Sequence, residues 1–370
     1  MKAKLLLTVS ALLPLVGCGG GGVGPTEDNL LPINGKITLK EDFQGKLTVR
    51  DDNTVVDLNG HTIHGPSWGL FSNDPLDTCI NVLADNVVIK NGKLGACLTG
   101  INIAGRFQRG KDTVTATNLW KTQGDAAAIE YMESFSGKGS DGTIITDMQI
   151  TPITHAVYIQ PYVSDTTIQN SSINKGRIGI YVDSGVQRTL INKVTFKDIG
   201  WGKYVSSLRK IVSRPVGEGR EAIAIDGAMN TTITNSTFTH TNLASVTAYR
   251  NCMENKNSPS AYPRLTGASG ISIMNNTFNN EVTGVWLGSR QQRDLSKWVC
   301  GNTPEAGGYF MDHATGANIT ANTFNNTDVA VEIADDDNTV IDNTLNGALV
   351  LITPKADDTY PTGVTAQGQD

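Results

Sequence analysis

Asn230-Thr-Thr-Ile-Thr-Asn-Ser-Thr-Phe238, Gly270-Ile-Ser-Ile-Met-Asn-Asn-Thr-Phe278 and Ala317-Asn-Ile-Thr-Ala-Asn-Thr-Phe324 are one unit written three times. Each opens with a short β-branched strand in which apolar and polar residues alternate. Asn then marks a turn, and a second short strand ends in Phe. Alternation of period two places the isoleucines on one face and the threonines on the other. The same unit recurs at Asn53–Gly60, Asn86–Gly92, Thr166–Ile173, Thr189–Phe196 and Asn338–Leu345, and helical periodicity is almost absent.

A unit this short cannot bury its apolar side alone, but stacked copies share one core. Equivalent strands are mostly about 21 to 32 residues apart, which suits one coil of a solenoid. Asn tolerates the left-handed turn conformation, and its amide can ladder from coil to coil. A propeller would need antiparallel hairpins with two-residue turns, and few are present. The expectation is an all-β, single-stranded right-handed parallel β-helix of about ten coils.

Three successive coils are longer than the rest. Their extra residues lie in Lys197–Arg220, Thr241–Ala268 and Gly288–Ala314. All three follow the same point of the repeat, which predicts long loops on one flank, where a rigid scaffold usually carries its site.

The chain starts with two lysines in Met1–Lys4, an apolar run over Leu5–Leu13, and Leu15-Val16-Gly17-Cys18. This order reads as a secretory signal, and its end resembles a bacterial lipobox, which implies lipidation of Cys18. The expected division is a signal peptide at 1–17, a lipidated Cys and Gly-rich tether at 18–30, the β-helix at 31–353 and an acidic tail at 354–370. The apolar run is too short to span a bilayer, so the protein is expected in the bacterial envelope, held by lipid, most simply at the outer membrane and as a monomer. Cys79, Cys97, Cys252 and Cys300 are then an even set in an oxidising space. Three pairings are open, of which Cys79–Cys97 with Cys252–Cys300 is preferred. None has the CxxC spacing of a zinc site.

Net charge is −6, yet residues 200–300 hold eleven Lys and Arg against six acids, a local +5 that leaves −11 for the rest. A basic region on an acidic exported chain suits a polyanion. Outside the cell that means an acidic polysaccharide rather than nucleic acid. Uronate polymers are cleaved by β-elimination, which needs the carboxylate neutralised, the adjacent ring proton removed and the leaving oxygen protonated. Arg meets a carboxylate in bidentate fashion, and Tyr, His, Lys or Arg serve the proton steps. A hydrolase would use two carboxylates flanking the bond.

The long coils offer such parts. Gly219–Asp226 carries Arg220 and Glu221, Ala248–Cys252 carries Tyr249 and Arg250, and Trp286–Asp294 carries Trp286, Arg290, Arg293 and Asp294, with Lys297 beyond. Stacking would bring them into one groove, with Arg220, Trp286, Arg293, Asp294 and Lys297 binding substrate and Tyr249, Arg250 and Arg290 near the chemistry. His240 and His313 flank the long coils as proton carriers, Asp312 orienting the latter. His61 and His64 read as structural. The run Glu332–Asp337 reads as an exposed turn. No P-loop, dinucleotide fingerprint or HExxH motif is present.

Gly219-Arg-Glu221-Ala-Ile-Ala-Ile225, followed by Asn235-Ser-Thr-Phe238, then Arg250 and a further Arg one coil on, resembles the chondroitinase B and alginate lyase group of pectate-lyase-like β-helices. The resemblance covers residues 217–290. It implies Glu221 at a calcium ion that neutralises the uronate, Arg250 near the base and Arg290 at the acid. Asp57-Leu-Asn-Gly-His-Thr-Ile63 resembles β-helix proteins more widely, including mannuronan epimerases and periplasmic copper-maturation proteins, and implies fold rather than chemistry. The expected function is a polysaccharide lyase. An epimerase, a non-catalytic glycan-binding or envelope-assembly protein, and a hydrolase are the alternatives.

Overall fold

The computed structural model describes residues 35–65, 78–107, 111–135, 139–200, 204–205, 211–212, 220–251, 266–288, 314–355 and 359–367. Parallel strands stack into a right-handed β-helix with two main sheets, of 19 and 10 strands. Each repeat unit lays two short strands in the long sheet, bent at a residue of positive φ such as Asn91, Asn170, Asn235 or Asn275. The chain then turns into the ten-stranded sheet, one strand per coil.

The alternation in the sequence sets the register. Ile233, Ile273, Ile319 and Val340 pair in successive coils and are fully buried. Phe196, Phe238, Phe278 and Phe324 stack face to face, with centroids 4.8, 4.8 and 4.6 Å apart. Those spacings follow the strand separation, so each ring packs on its own equivalent one coil away. Burying each such ring contributes roughly 1.5–3 kcal/mol before packing is counted. Beside them Asn276, Asn322 and Asn343 form an amide ladder: Asn276 Nδ2 donates to Asn322 Oδ1 and Asn322 Nδ2 to Asn343 Oδ1, both at 3.0 Å.

Four features depart from the sequence reading. Among the described residues two helices are present, α1 (Lys111–Gln123) and α2 (Asp125–Glu133). They form a hairpin whose Ala116, Ala128 and Met132 pack with Phe107 and Tyr162. Its apolar stripe is short and rich in alanine, which left little periodic signal. The long insertions do not share one flank. Residues 201–219 come before a strand of the ten-stranded sheet, whereas 252–265 and 289–313 come after one, so the insertions leave from both edges of that sheet. The acidic run is an exposed turn only at Asp337: Asp335 is fully buried and Asp336 is buried. Asp335 accepts the Ala314 N–H, and Asp336 pairs with the buried Lys355. Lastly, Thr365–Ala366 pairs with Thr339–Val340, so the solenoid continues into the stretch expected as a tail.

Cys79 and Cys97 are joined by a disulfide between neighbouring coils, as expected. Cys18, Cys252 and Cys300, with residues 1–30 expected as signal peptide and tether, lie outside the described residues.

Candidate functional site

The ten-stranded sheet turns one row of each strand into the core and the alternate row outward. Val157, Ile180, Ile223, Val246 and Val285 belong to the core, in register from coil to coil. One position on, the outer row reads Asn81, Asn102, Tyr158, Tyr181, Ala224, Thr247, Trp286 and Glu332. Chemistry-bearing side chains gather in this row because nothing in the core constrains them.

The Tyr158 hydroxyl donates to Asp183 Oδ2 at 2.5 Å, and the Tyr181 hydroxyl donates to Asp226 Oδ2 at 2.6 Å. Each aspartate sits one coil beyond its tyrosine and two residues further along the strand, so the motif repeats by the stacking itself. The other carboxylate oxygens are held by backbone: Ser184 N–H donates to Asp183 Oδ1 at 2.8 Å and Asn251 N–H to Asp226 Oδ1 at 2.7 Å. Both aspartates are fully buried. Such charge-assisted contacts are short and fix the phenols in place. The His155 ring lies against both tyrosines, 5.7 Å from Tyr158 and 6.0 Å from Tyr181, and the tyrosine rings are 5.6 Å apart. On the near side Asn102 donates to Asn81 at 2.7 Å and Gln160 to Asn102 at 3.0 Å, a buried polar rung beside the tyrosines.

Arginines mark the edge where the strands begin. Arg177 and Arg220 precede strands whose Ile180 and Ile223 pair by the same offset, so they occupy equivalent positions one coil apart. Arg220 resumes the coil beside Gly200, where the insertion 201–219 leaves it.

The residues singled out in the sequence are distributed over this frame. Glu221 is buried and in register with the start of the next strand, Ala244, while Tyr249 lies in register with Asp226 at the other end. Five residues of extended chain, about 16 Å, separate these rows. Stacking therefore does not bring Glu221 to Tyr249 and Arg250. They stand at opposite edges of the sheet. Among the described residues no three His, Cys, Asp or Glu side chains are gathered in a metal-ligating group. His240 sits exposed at a corner, 3.2 Å from Asp198 of the preceding coil, a staple of the long sheet rather than part of the groove. Trp286 is in the outer row. Arg290, Arg293, Asp294, Lys297 and His313 lie outside the described residues.

His155, Tyr158, Tyr181 and Asp183 were missed from sequence. Their signal was there: His155-Ala-Val-Tyr-Ile-Gln160, Ile178-Gly-Ile-Tyr-Val-Asp183 and Ile223-Ala-Ile-Asp226 align as successive coils once the inward rows are matched. The tyrosines and aspartates occupy outward positions of those strands, where packing makes no demand for them.

The family described as right handed beta helix region matches residues 134–346. The chain belongs to that family. Among solved structures it is similar to an alginate lyase from Paenibacillus sp., at 16% identity and TM-score 0.49, covering 90% of this chain and 92% of that one. It is also similar to the catalytic unit of a thermostable alpha-1,3-glucanase from Streptomyces thermodiastaticus, at 12% identity and TM-score 0.45, covering 90% and 46%. A tailspike protein of an Acinetobacter baumannii phage shares 9% identity at TM-score 0.43, covering 85% and 50%. The chain spans about half the length of the last two. No curated protein matches it in sequence. At such identities the chemistry of those proteins remains theirs.

Proposed function

We propose that the outer face of the ten-stranded sheet is a glycan groove in which this β-helix cleaves a uronate-containing polysaccharide by β-elimination. The observation that supports it is the pair of Tyr–Asp couples on consecutive coils, with a histidine ring against both tyrosines. Arg177 and Arg220 at the edge meet the uronate carboxylate and make the neighbouring ring C–H acidic. The Tyr181 oxygen takes that proton while its own proton passes to Asp226, and the carbon's electron pair forms the double bond. The glycosidic C–O bond breaks, and the leaving oxygen takes a proton from His155. The half-exposed Tyr181 is better placed for this than Tyr158, which is 8% exposed and holds the cluster together. A carboxylate already held by two donors keeps its shape as the relay moves.

Asp183 and Asp226 are also in register on adjacent coils, an arrangement that favours hydrolysis as the second reading. The experiment is a panel of acidic polysaccharides followed both by ultraviolet absorbance of the unsaturated end and by release of reducing ends. Both signals together support elimination. Reducing ends without absorbance replace it with hydrolysis. Exchange of the ring proton into solvent without cleavage points to an epimerase, and binding without any reaction to an envelope-assembly role. An anchor at Cys18 belongs to the same reading of an exported, polysaccharide-directed protein, and incorporation of labelled palmitate, lost in Cys18→Ser, tests it.

A further inference from the structure

Beyond the tyrosines the outer row changes character. Ala224 and Thr247 follow Tyr181, so the row drops to small side chains for two coils before rising at Trp286. Trp286 Nε1 and the hydroxyl of Thr247, in register beside it, are both buried without a hydrogen-bond partner among the described residues. Buried donors are nearly always paired, so an unpaired indole N–H on an outer face marks a place where an acceptor belongs. Partnerless hydroxyls occur elsewhere, as at Thr166, Thr189 and Thr231, but those line a corner of the coils, away from the outer row of the ten-stranded sheet. Next along the row is Glu332, in register with Trp286 and half-buried. Burial pushes its carboxyl above the ordinary range.

An indole face, a buried N–H and a carboxylate suit a sugar ring with hydroxyls and no charge. The ring's apolar face stacks on Trp286, a ring or hydroxyl oxygen accepts from Nε1, and a hydroxyl donates to Glu332. A second uronate here would set its carboxylate against Glu332 at low dielectric. Trp286 lies two coils and Glu332 three coils beyond Asp226, about 10 and 14 Å. We propose that Thr247, Trp286 and Glu332 form a subsite for an uncharged sugar unit of the polymer whose uronate reacts at Tyr181. The polymer would then carry neutral sugars among its uronates. This rests on the glycan-groove reading and adds to it a selection between homouronans and mixed polymers.

The test uses the full chain carrying Tyr181→Phe and titration calorimetry with two sets of hexasaccharides. One set contains only uronates (polymannuronate, polyguluronate, polygalacturonate), and the other alternates uronate with a neutral sugar (hyaluronan, unsulfated chondroitin). The alternating set should bind about tenfold tighter or more. Trp286→Ala should remove most of that advantage, Trp286→Phe (which keeps the stacking but not the N–H) part of it, and Glu332→Gln should raise homouronan binding toward the alternating set. Equal affinity for both sets, or a preference that neither substitution changes, overturns the subsite while leaving the groove standing. If no member of either set binds, the groove reading fails and the subsite with it.

Discussion

Asp226 holds Tyr181 on one oxygen and the Asn251 N–H on the other, so its two contacts have separable consequences. Tyr181→Phe deletes the proton relay and should lower kcat by about a hundredfold to ten-thousandfold with binding retained. Asp226→Asn keeps the shape, loses the proton acceptor, and should lower kcat without a large change in thermal midpoint. Loss of substrate binding in both variants would show that the pair is a structural staple. At Glu281 the consequence is one of stability. Glu281 is buried, takes the Thr241 N–H on Oε2 at 2.8 Å, and desolvation raises its carboxyl to about 7. A folded-state value raised above the ordinary 4.5 favours the protonated form on folding. The stability it brings is complete below the ordinary value and is lost as pH rises through about 7, on the order of 3 kcal/mol in all. Chemical denaturation from pH 4 to 8 should show that decline in wild type and a flat profile in Glu281→Gln. A wild type whose stability stays level over that range would refute it.

At the scale of the element, the coils are held by identical residues stacked on themselves. Phe238 has a phenylalanine ring on both sides, so Phe238→Ala opens a hole in the middle of the stack. The expected cost is about 3–5 kcal/mol by equilibrium denaturation. An effect below about 1 kcal/mol would mean that neighbouring coils close the gap. The Asn276–Asn322–Asn343 ladder ends at Gln367, whose Oε1 accepts the Asn343 N–H at 2.7 Å. The polar column is thus finished by the C-terminal strand rather than left open to water. The Cys79–Cys97 bridge ties coils that are already paired over an 18-residue separation and contributes about 3 kcal/mol in the chain-entropy view. Reduction should lower the denaturation midpoint while the β-sheet spectrum persists. The helical hairpin stands on the other side of this comparison. Its stripe of Ala116, Ala128 and Met132 is legible only once Phe107 and Tyr162 are seen to face it.

For the molecule as a whole, far-ultraviolet circular dichroism should be that of a β-protein, with the described residues contributing helix from the 13 and nine residues of α1 and α2. A helix content above about a quarter would contradict the solenoid, since no longer helical pattern exists in the chain. The coil is a local device, and for that reason its unit could be read directly. Alternation of period two, Asn at the bend and Phe at the strand end recur because every coil meets the same neighbour, and ten strands in the second sheet match the number of coils expected. The Cys79–Cys97 pairing could be read as well, lying within one such step. The groove could not. Its residues repeat only once the inward rows are matched; they occupy outward positions that packing leaves undetermined, and Tyr158, Tyr181, Asp183 and Asp226 become neighbours only when coils of unequal length are brought into register. Charge and long insertions drew attention instead to Glu221 and Arg250, which the strand between them holds at opposite edges. The repeat was legible in the amino-acid order alone, because burial enforces it in every coil. Which outward-facing side chains meet was settled by the fold, because that depends on stacking across insertions whose lengths carry no register of their own.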